Sequence, residues 1–381
     1  MYNFTFENPT KLIFGKGKIA QLAKELPADK KIMITFGGGS VKRNGVYDQV
    51  IAAMKGMDFV EFWGIESNPR VESIRRAVAI AKSEGVEYFL AVGGGSTLDA
   101  TKVIAVATAV DTDTWDIVLS EHYTGPAFPM AAVLTLPATG SEMNKTSVIS
   151  NDATNEKYAV HSYNPRFSIL DPEVTFTLPD HQIACGLADT FIHVMEQYLI
   201  KTDVSPLMDR WAEGIMLTIT EVAPKALADK TNYDTMSNFM LSATMALNGF
   251  IAMGVEQDWA THMIGHEITA LTGLTHGHTL TIVMPALMSL MREQKWAKIL
   301  QFGERVFGVV EGSESERIDA TIAATESFFR SLGLKTRLSE NGIGNEITSQ
   351  IITRFKERNA RLGEGGHITY VEVEKILELC K

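Results

Sequence analysis

The stretch "EYFLAVGGGSTLDATK", residues 87–102, passes from an apolar run rich in β-formers through three glycines into a helical pattern. Strand, glycine turn and helix in that order mark a parallel sheet whose strands are joined by crossover helices. A second copy of the signal, "ITFGGGSVKRNG", stands at 34–45. Working outward, "KKIMITF", "YDQVIAAMKGM", "DFVEFWGI" and "ESIRRAVAIAKSEG" alternate strand and helix patterns, and "MAAVLTLPA" adds another buried strand. The Gly/Thr/Ser-rich "TGSEMNKT" and two hairpin-like runs around "SVISND" and "EKYAVHS" come next, and the two prolines of "LDPEVTFTLPDH" read as a linker. From residue 181 helical periods take over, with Asp180 as the expected N-cap of the first helix. Thr369 and Glu372 stand in capping-box spacing near the end. The expected fold is an α/β dinucleotide-binding domain with a Rossmann-like parallel sheet over 1–180, followed by an all-α domain over 181–381.

Bulk properties narrow the partners. A chain of 381 residues with 45% hydrophobic residues buries a large core. A formal net charge of −11 without a long basic run argues against nucleic acid, whose binding requires Lys and Arg to neutralise phosphates. No apolar run reaches the ~18 residues of a membrane span. Two cysteines, Cys185 and Cys380, make neither a disulfide framework nor a Cys-based zinc site. With no signal-peptide pattern at the amino terminus, the expected location is the cytoplasm and the expected partner a small molecule.

Each GGGS follows a strand and precedes a helix, where a doubly wound sheet takes its ligands. Glycine there permits positive φ and lets backbone N–H groups approach phosphate oxygens. Neither copy matches the full dinucleotide fingerprint, since Leu98 stands where the third glycine is expected. A tight turn without a ligand is the competing reading for a single copy; two copies in one α/β half favour the ligand. NAD sites commonly place an acid against the ribose 2′-hydroxyl, whereas NADP needs small or basic groups there. After Gly37, Gly38 and Gly39 come Ser40, Lys42 and Arg43, and no acid before Asp48. A turn of this kind favours a 2′-phosphate.

Histidines gather in the helical half. Asp189 and His193 in "GLADTFIHVMEQ" are four apart, as are His262 and His266 in "DWATHMIGHEITALTGLTHGHTL", where His276 and His278 come after. Residues four apart share a helix face and converge on one ion. A carboxylate with imidazoles suits Zn²⁺ or Fe²⁺ alike, and spacing alone leaves open which histidines are ligands. The zincin pattern H-E-x-x-H is absent, because Glu267 follows the second histidine of its pair. A metal beside a dinucleotide points to carbonyl polarisation with hydride transfer.

With these motifs in order, the chain resembles the iron-dependent (group III) alcohol dehydrogenases, and within them the NADPH-dependent aldehyde reductase and butanol dehydrogenase branch. The resemblance runs nearly end to end, through "FGKGK", "GGGS" at 37, "NPR" at 68, "AVGGGSTLDATK", "LTLPATGSE", "LDPEVTFTLP", "GLADTFIHVMEQY", "LNGF", "DWATHMIGHEITA" and "HGHTL". It implies a dehydroquinate synthase-like architecture with a cleft between the two domains, a homodimer, and one divalent metal, Fe²⁺ or Zn²⁺. The implied metal ligands are Asp189, His193, His262 and His276, with His266 near substrate and nicotinamide as a catalytic residue. NADP(H) is implied on Gly37, Gly38, Gly39, Ser40 and Asn68, with the pyrophosphate on Gly94, Gly95 and Ser96 and the nicotinamide half along Thr135, Thr139 and Lys157. Asp99 is implied to orient cofactor groups and to serve catalysis. Members that use NAD resemble one another in an aspartate at the position of Gly39, which this chain lacks.

The expected activity is reversible reduction of small to medium aliphatic aldehydes such as butanal. The alternatives are a dehydroquinate synthase-like lyase with transiently used NAD, a glycerol or diol dehydrogenase of the same superfamily, and a nucleotide-binding protein without activity. The lyase needs a basic cluster for a phosphorylated, carboxylated substrate, which the helical half lacks around its histidines. Leu247, Phe250, Met253 and Trp259 are candidate pocket walls, though such residues at helical spacing more often build core.

Overall fold

The computed structural model describes residues 1–200 and 205–381. It divides into two compact units, Glu7–Leu178 with Lys230–Asn248, and Met1–Phe6 with Pro179–Asp229 and Gly249–Lys381.

The first unit is built on six parallel strands: β1 (Lys11–Phe14), β2 (Ile32–Phe36), β3 (Phe59–Phe62), β4 (Tyr88–Gly94), β5 (Met130–Leu136) and, after a separate hairpin, β8 (Phe167–Leu170). The hairpin pairs β6 (Thr146–Asn151) antiparallel with β7 (Glu156–His161). The sheet order is β1-β8-β5-β4-β2-β3. Every residue of "IMITF" in β2 is buried, as a strand covered by helices on both faces requires. The chain leaves β2 for β3 on one side and returns to β4 on the other, so strand order reverses between β2 and β4. Both glycine turns lie at the carboxyl ends of these two strands, at the switch point where open α/β sheets bind ligands.

The sequence pattern marks β2, β3, β4, β5 and the hairpin, but not β1 or β8. Each of these two has four residues, and "FSIL" hides a polar residue: the Ser168 hydroxyl is satisfied by donating to the Glu142 carbonyl. The helix Tyr233–Ala246 carries the same helical period as its neighbours in sequence but packs in the sheet unit. There Met236, Phe239, Met240 and Ala243 are buried, and the Thr244 hydroxyl donates to the Glu142 carboxylate.

In the second unit, helices Asp180–Tyr198, Pro206–Ala228, Ala260–Thr272 and His276–Leu290 hold the histidine-rich segments. Asp180 is the first helical residue, with Pro179 at the cap position, so the start is one residue earlier than the capping signal indicates. The Thr369 and Glu372 capping box forms as its spacing implies.

Helices Asp180–Tyr198 and His276–Leu290 approach so closely at Gly277 that a Cβ there would lie 2.3 Å from the Cys185 carbonyl oxygen. Backbone cannot give way as a flexible side chain can. Gly277→Ala is therefore expected to cost about 1–3 kcal/mol by overpacking. Gly214→Ala, whose Cβ meets nothing and which lies inside a helix, is expected to be neutral or to stabilise by up to about 1 kcal/mol. Denaturant unfolding of the two variants checks the contrast, and equal effects would contradict it.

Candidate metal centre and nucleotide turns

Three helices of the second unit bring the histidines together. Asp189 and His193 project from Asp180–Tyr198, His262 and His266 from Ala260–Thr272, and His276 opens His276–Leu290. Asp189 Oδ1 lies 3.7 Å from His193 Nε2, 3.6 Å from His262 Nε2 and 3.9 Å from His276 Nε2. Ligand atoms of Asp189, His262 and His276 all fall within 4.8 Å of one another. The His193 ring stacks on His262 at 4.6 Å between centroids.

These separations are too long for hydrogen bonds and close to the edge of a metal tetrahedron, about 3.4 Å for bonds of about 2.1 Å. Asp189 and His262 are buried, and among the described residues Asp189 Oδ1 and His262 Nε2 have no hydrogen-bond partner. A buried carboxylate oxygen left without a donor is costly unless a cation meets it. The donor set and the orphaned atoms therefore fit a divalent ion such as Zn²⁺ or Fe²⁺.

Glu196 completes the arrangement. Its carboxylate bonds His262 Nδ1 on the side away from Asp189 and also accepts from the Thr261 backbone N–H at 2.6 Å. A carboxylate on the far nitrogen of an imidazole fixes the tautomer and raises its basicity as a ligand. Burial pushes the His262 pKa down, but the Glu196 and Asp189 carboxylates outweigh it and raise it to about 9. Burial likewise pushes the Asp189 pKa up, and the facing His193, His262 and His276 imidazoles bring it well below the usual carboxylate range. The cluster calls for positive charge.

The remaining histidines separate cleanly. His266 is half-buried beside the cluster, its ring 4.8 Å from that of His276 and 6.3 Å from that of His262. His278 Nε2 is engaged with the Lys335 backbone, at 3.0 Å from its oxygen and 3.2 Å from its nitrogen. Trp259, at φ 61, holds a backbone conformation that bulky residues rarely adopt, and its ring edges onto His262 at 5.2 Å. Among the other candidate walls, Phe250 stacks on Trp211 at 4.2 Å, Met253 is half-buried, and Leu247 lies in the sheet unit.

In the sheet unit the two glycine turns answer to different constraints. A Cβ on Gly93 would lie 2.4 Å from Thr97 Oγ1, and one on Gly95 2.4 Å from Thr139 Oγ1, so protein packing alone demands those glycines. On Gly94 a Cβ would press on Leu136 at 3.1 Å. Cβ atoms on Gly38 and Gly39 would meet nothing within 4 Å, and Gly39 has φ +90. Gly38 has neither a strained φ nor a close protein neighbour; room for a ligand is what its missing side chain leaves. Helix Gly95–Thr108 starts without a side-chain cap, which leaves backbone N–H groups for an anion. Both turns thus fit a dinucleotide.

Among the other residues expected around the nucleotide, Asn68 links Ser96 and Lys157. The Ser96 hydroxyl accepts from the Asn68 backbone N–H at 3.3 Å, Lys157 Nζ donates to Asn68 Oδ1 at 2.8 Å, and Thr135 lies near the end of β5. Gly37 and Ser40 flank the open turn after β2. Asp99 is buried with both oxygens in use, accepting from the Ser141 hydroxyl at 2.5 Å and the Val148 N–H at 2.9 Å. Lys102 sits behind them, donating to Ser141, Asn144 and the Thr146 carbonyl. Its burial lowers its pKa to about 8 despite the Asp99 charge, while burial raises that of Asp99 despite Lys102.

Sequence reasoning passes over Glu196, Lys102 and Ser141. For Glu196 a signal exists: it stands seven after Asp189 and three after His193, on the same helix face. Lys102 and Ser141 meet only through tertiary contact.

A Rossmann-like sheet with open glycine turns, and a buried carboxylate–imidazole cluster fit for a divalent ion, define a metal- and dinucleotide-dependent class of protein. Residues 9–172 match the model for iron-containing alcohol dehydrogenase, and 183–379 that for the C-terminal part of the Fe-containing alcohol dehydrogenase family. The chain belongs to the iron-containing alcohol dehydrogenase family, and is an oxidoreductase. It is 48% identical to the NADPH-dependent aldehyde reductase YqhD of Escherichia coli, over 100% of both chains. It is 40% identical to the probable NADH-dependent butanol dehydrogenase 1 of Bacillus subtilis, over 100% of this chain and 99% of that one. The crystal structure of NADH-dependent butanol dehydrogenase A from Thermotoga maritima matches with a TM-score of 0.95 at 36% identity, covering 100% of this chain and 99% of the other.

Glu196→Gln is expected to weaken retention of Zn²⁺ or Fe²⁺ about 10- to 100-fold, the usual effect of losing the carboxylate behind a ligating imidazole. Competition with a chelator of known affinity measures it. Unchanged retention in a folded variant would show that Glu196 does not support the centre.

Proposed function

We propose that this protein reduces small to medium aliphatic aldehydes such as butanal with NADPH, and oxidises the corresponding primary alcohols in reverse. The observation that carries the reading is the pair of orphaned buried atoms, Asp189 Oδ1 and His262 Nε2, facing each other at 3.6 Å. We assign Asp189, His193, His262 and His276 as ligands of one divalent metal, Fe²⁺ or Zn²⁺. When bound, the cation polarises a carbonyl oxygen and NADPH supplies the hydride.

The chain's own residues have separate tasks. Glu196 orients His262 and keeps its Nε2 directed at Asp189. The proton that completes the alcohol comes through water or His266, which lies beside His276. Gly94, Gly95 and Ser96 receive the pyrophosphate, with Asn68, Thr135, Thr139 and Lys157 along the nicotinamide half. Asp99 steadies the Ser141 hydroxyl and strand β6 next to that site. Gly37, Gly38, Gly39 and Ser40 take the adenosine end. A main division of the chain near 180/181, with helix Tyr233–Ala246 returning to the sheet unit, a cytoplasmic location and a homodimer are part of the same reading, and light scattering on the purified protein tests the last.

The decisive experiment follows NADPH oxidation with butanal before and after chelation, with metal content measured on the same samples. Activity is expected to fall with the metal and return on adding Fe²⁺ or Zn²⁺. His262→Ala is expected to lose the metal and at least about 100-fold in kcat/KM, an effect typical of lost electrostatic stabilisation. Retention of both would overturn the mechanism. A lyase with transiently used NAD would show no net NADPH oxidation.

Cofactor choice has its own test. Gly39→Asp is expected to shift preference toward NADH, since a carboxylate repels a 2′-phosphate and can accept from a 2′-hydroxyl. Asp tolerates the left-handed backbone better than most residues, so the fold should survive φ +90. The ratio of kcat/KM for the two cofactors reads the change, and an unaltered ratio would count against the adenosine assignment.

A further inference from the structure

A cation stands just beyond the first glycine turn. Lys42 lies on the short helix Ser40–Arg43, which Gly39 begins. It is exposed, yet its ammonium sits over the Trp63 ring, 4.0 Å from the centroid, and 5.1 Å from that of Tyr47. Trp63 is itself braced. Its indole stacks on Phe36, the last residue of β2, with centroids 4.1 Å apart and planes inclined by 14°. Its Nε1 donates to Glu61 Oε2 at 2.7 Å, and the Tyr47 hydroxyl donates to the other oxygen at 2.7 Å. Just after Trp63, the Gly64 N–H donates to the Gly37 carbonyl and the Ile65 N–H to that of Phe36, tying this loop to the glycine turn.

We propose that Trp63 is a positioning residue for cofactor specificity: its indole, held by Phe36 and Glu61, keeps the Lys42 ammonium at the Gly37–Gly39 turn to receive the adenosine 2′-phosphate of NADPH. The proposal rests on NADPH being the cofactor. Its physical basis is what a cation–π contact does and does not use. The indole face restrains a four-carbon chain that otherwise loses substantial rotamer entropy on binding. It commits no N–H of the ammonium to a carboxylate, so those turned away from the ring remain for phosphate oxygens. A salt bridge would have neutralised the charge instead. The nearby acid that could have made one, Glu61, has a neutral donor on each oxygen, and among the described residues Lys42 has no carboxylate partner. Ordering the lysine in advance is the kind of preorganisation that raises affinity without adding a contact.

Calorimetric titration with 2′,5′-ADP and with 5′-ADP, which lacks the 2′-phosphate, separates this from a merely structural role. Trp63→Leu is expected to weaken 2′,5′-ADP about three- to fivefold, the size of an exposed cation–π contact, while 5′-ADP changes by less than about twofold. Lys42→Ala is expected to weaken 2′,5′-ADP about tenfold, and the double variant no further. Trp63→Phe, which keeps an aromatic face, should recover most of the loss. In turnover the KM for NADPH rises in proportion with kcat unchanged. Equal weakening of both nucleotides, or factors for Trp63 and Lys42 that multiply, would overturn the proposal. Because Trp63 is half-buried, the cycle is repeated with Trp63→Gln, polar and planar without a π face, for which the same outcomes hold. If the unaltered protein binds 5′-ADP as tightly as 2′,5′-ADP, it is the NADPH reading itself that fails.

Discussion

Asp189 is a carboxylate enclosed by three imidazoles, and a charge so enclosed persists only if positive charge meets it. Much of the helical unit serves that requirement. Helices Asp180–Tyr198 and His276–Leu290 touch backbone to backbone at Gly277, which brings the first residue of one against the middle of the other. Glu196 extends the same helix face by one turn and reaches behind His262. A second buried carboxylate raises the demand for a cation further. An apolar core would have been easier to fold, so the cluster is better understood as a site than as a staple.

The sheet unit solves a different problem, which is to bring backbone close to a polyanion in a chain whose formal net charge is −11. Reversal of strand order between β2 and β4 leaves a crevice at their carboxyl ends. Glycine lines it for two distinct reasons. Around Gly93 and Gly95 it lets helix Gly95–Thr108 start against Thr97 and Thr139, while at Gly38 and Gly39 it leaves open space. Beneath the second turn, Asp99, Ser141 and Lys102 form a buried chain of hydrogen bonds that joins the helix to β6 and to the loop after β5. Fully satisfied polar networks of this sort rigidify the elements resting on them.

Repetition of GGGS in the sequence therefore conceals unlike roles. Identical residues close strands two and four because both strands end at one crevice. The copies differ in the side chains just beyond them: Thr97 and Asp99 turn inward after the second, whereas Lys42 after the first lies across an aromatic platform. Relatives that share the fold carry names with both NADH and NADPH, so the fold by itself leaves the choice of cofactor to side chains around the first turn.

By itself the sequence determined the alternation of strand and helix, the glycine turns and the i, i+4 pairs Asp189/His193 and His262/His266, because these depend on spacing along one element. Four-residue strands such as β1 and β8 are too short for a period to show. Helix Tyr233–Ala246 has an apolar face like any other, and nothing local says which unit it covers. Tertiary structure alone decided that His276 joins the cluster while His278 turns to the Lys335 backbone, although one glycine separates them. It also decided that Glu196 backs His262, that both oxygens of Asp99 are spent on protein donors, and that Trp63 meets Lys42. The physical reason is common to all of these: a side chain's neighbour on its own helix is set by 3.6 residues per turn, but its neighbour on another element is set by how the elements pack.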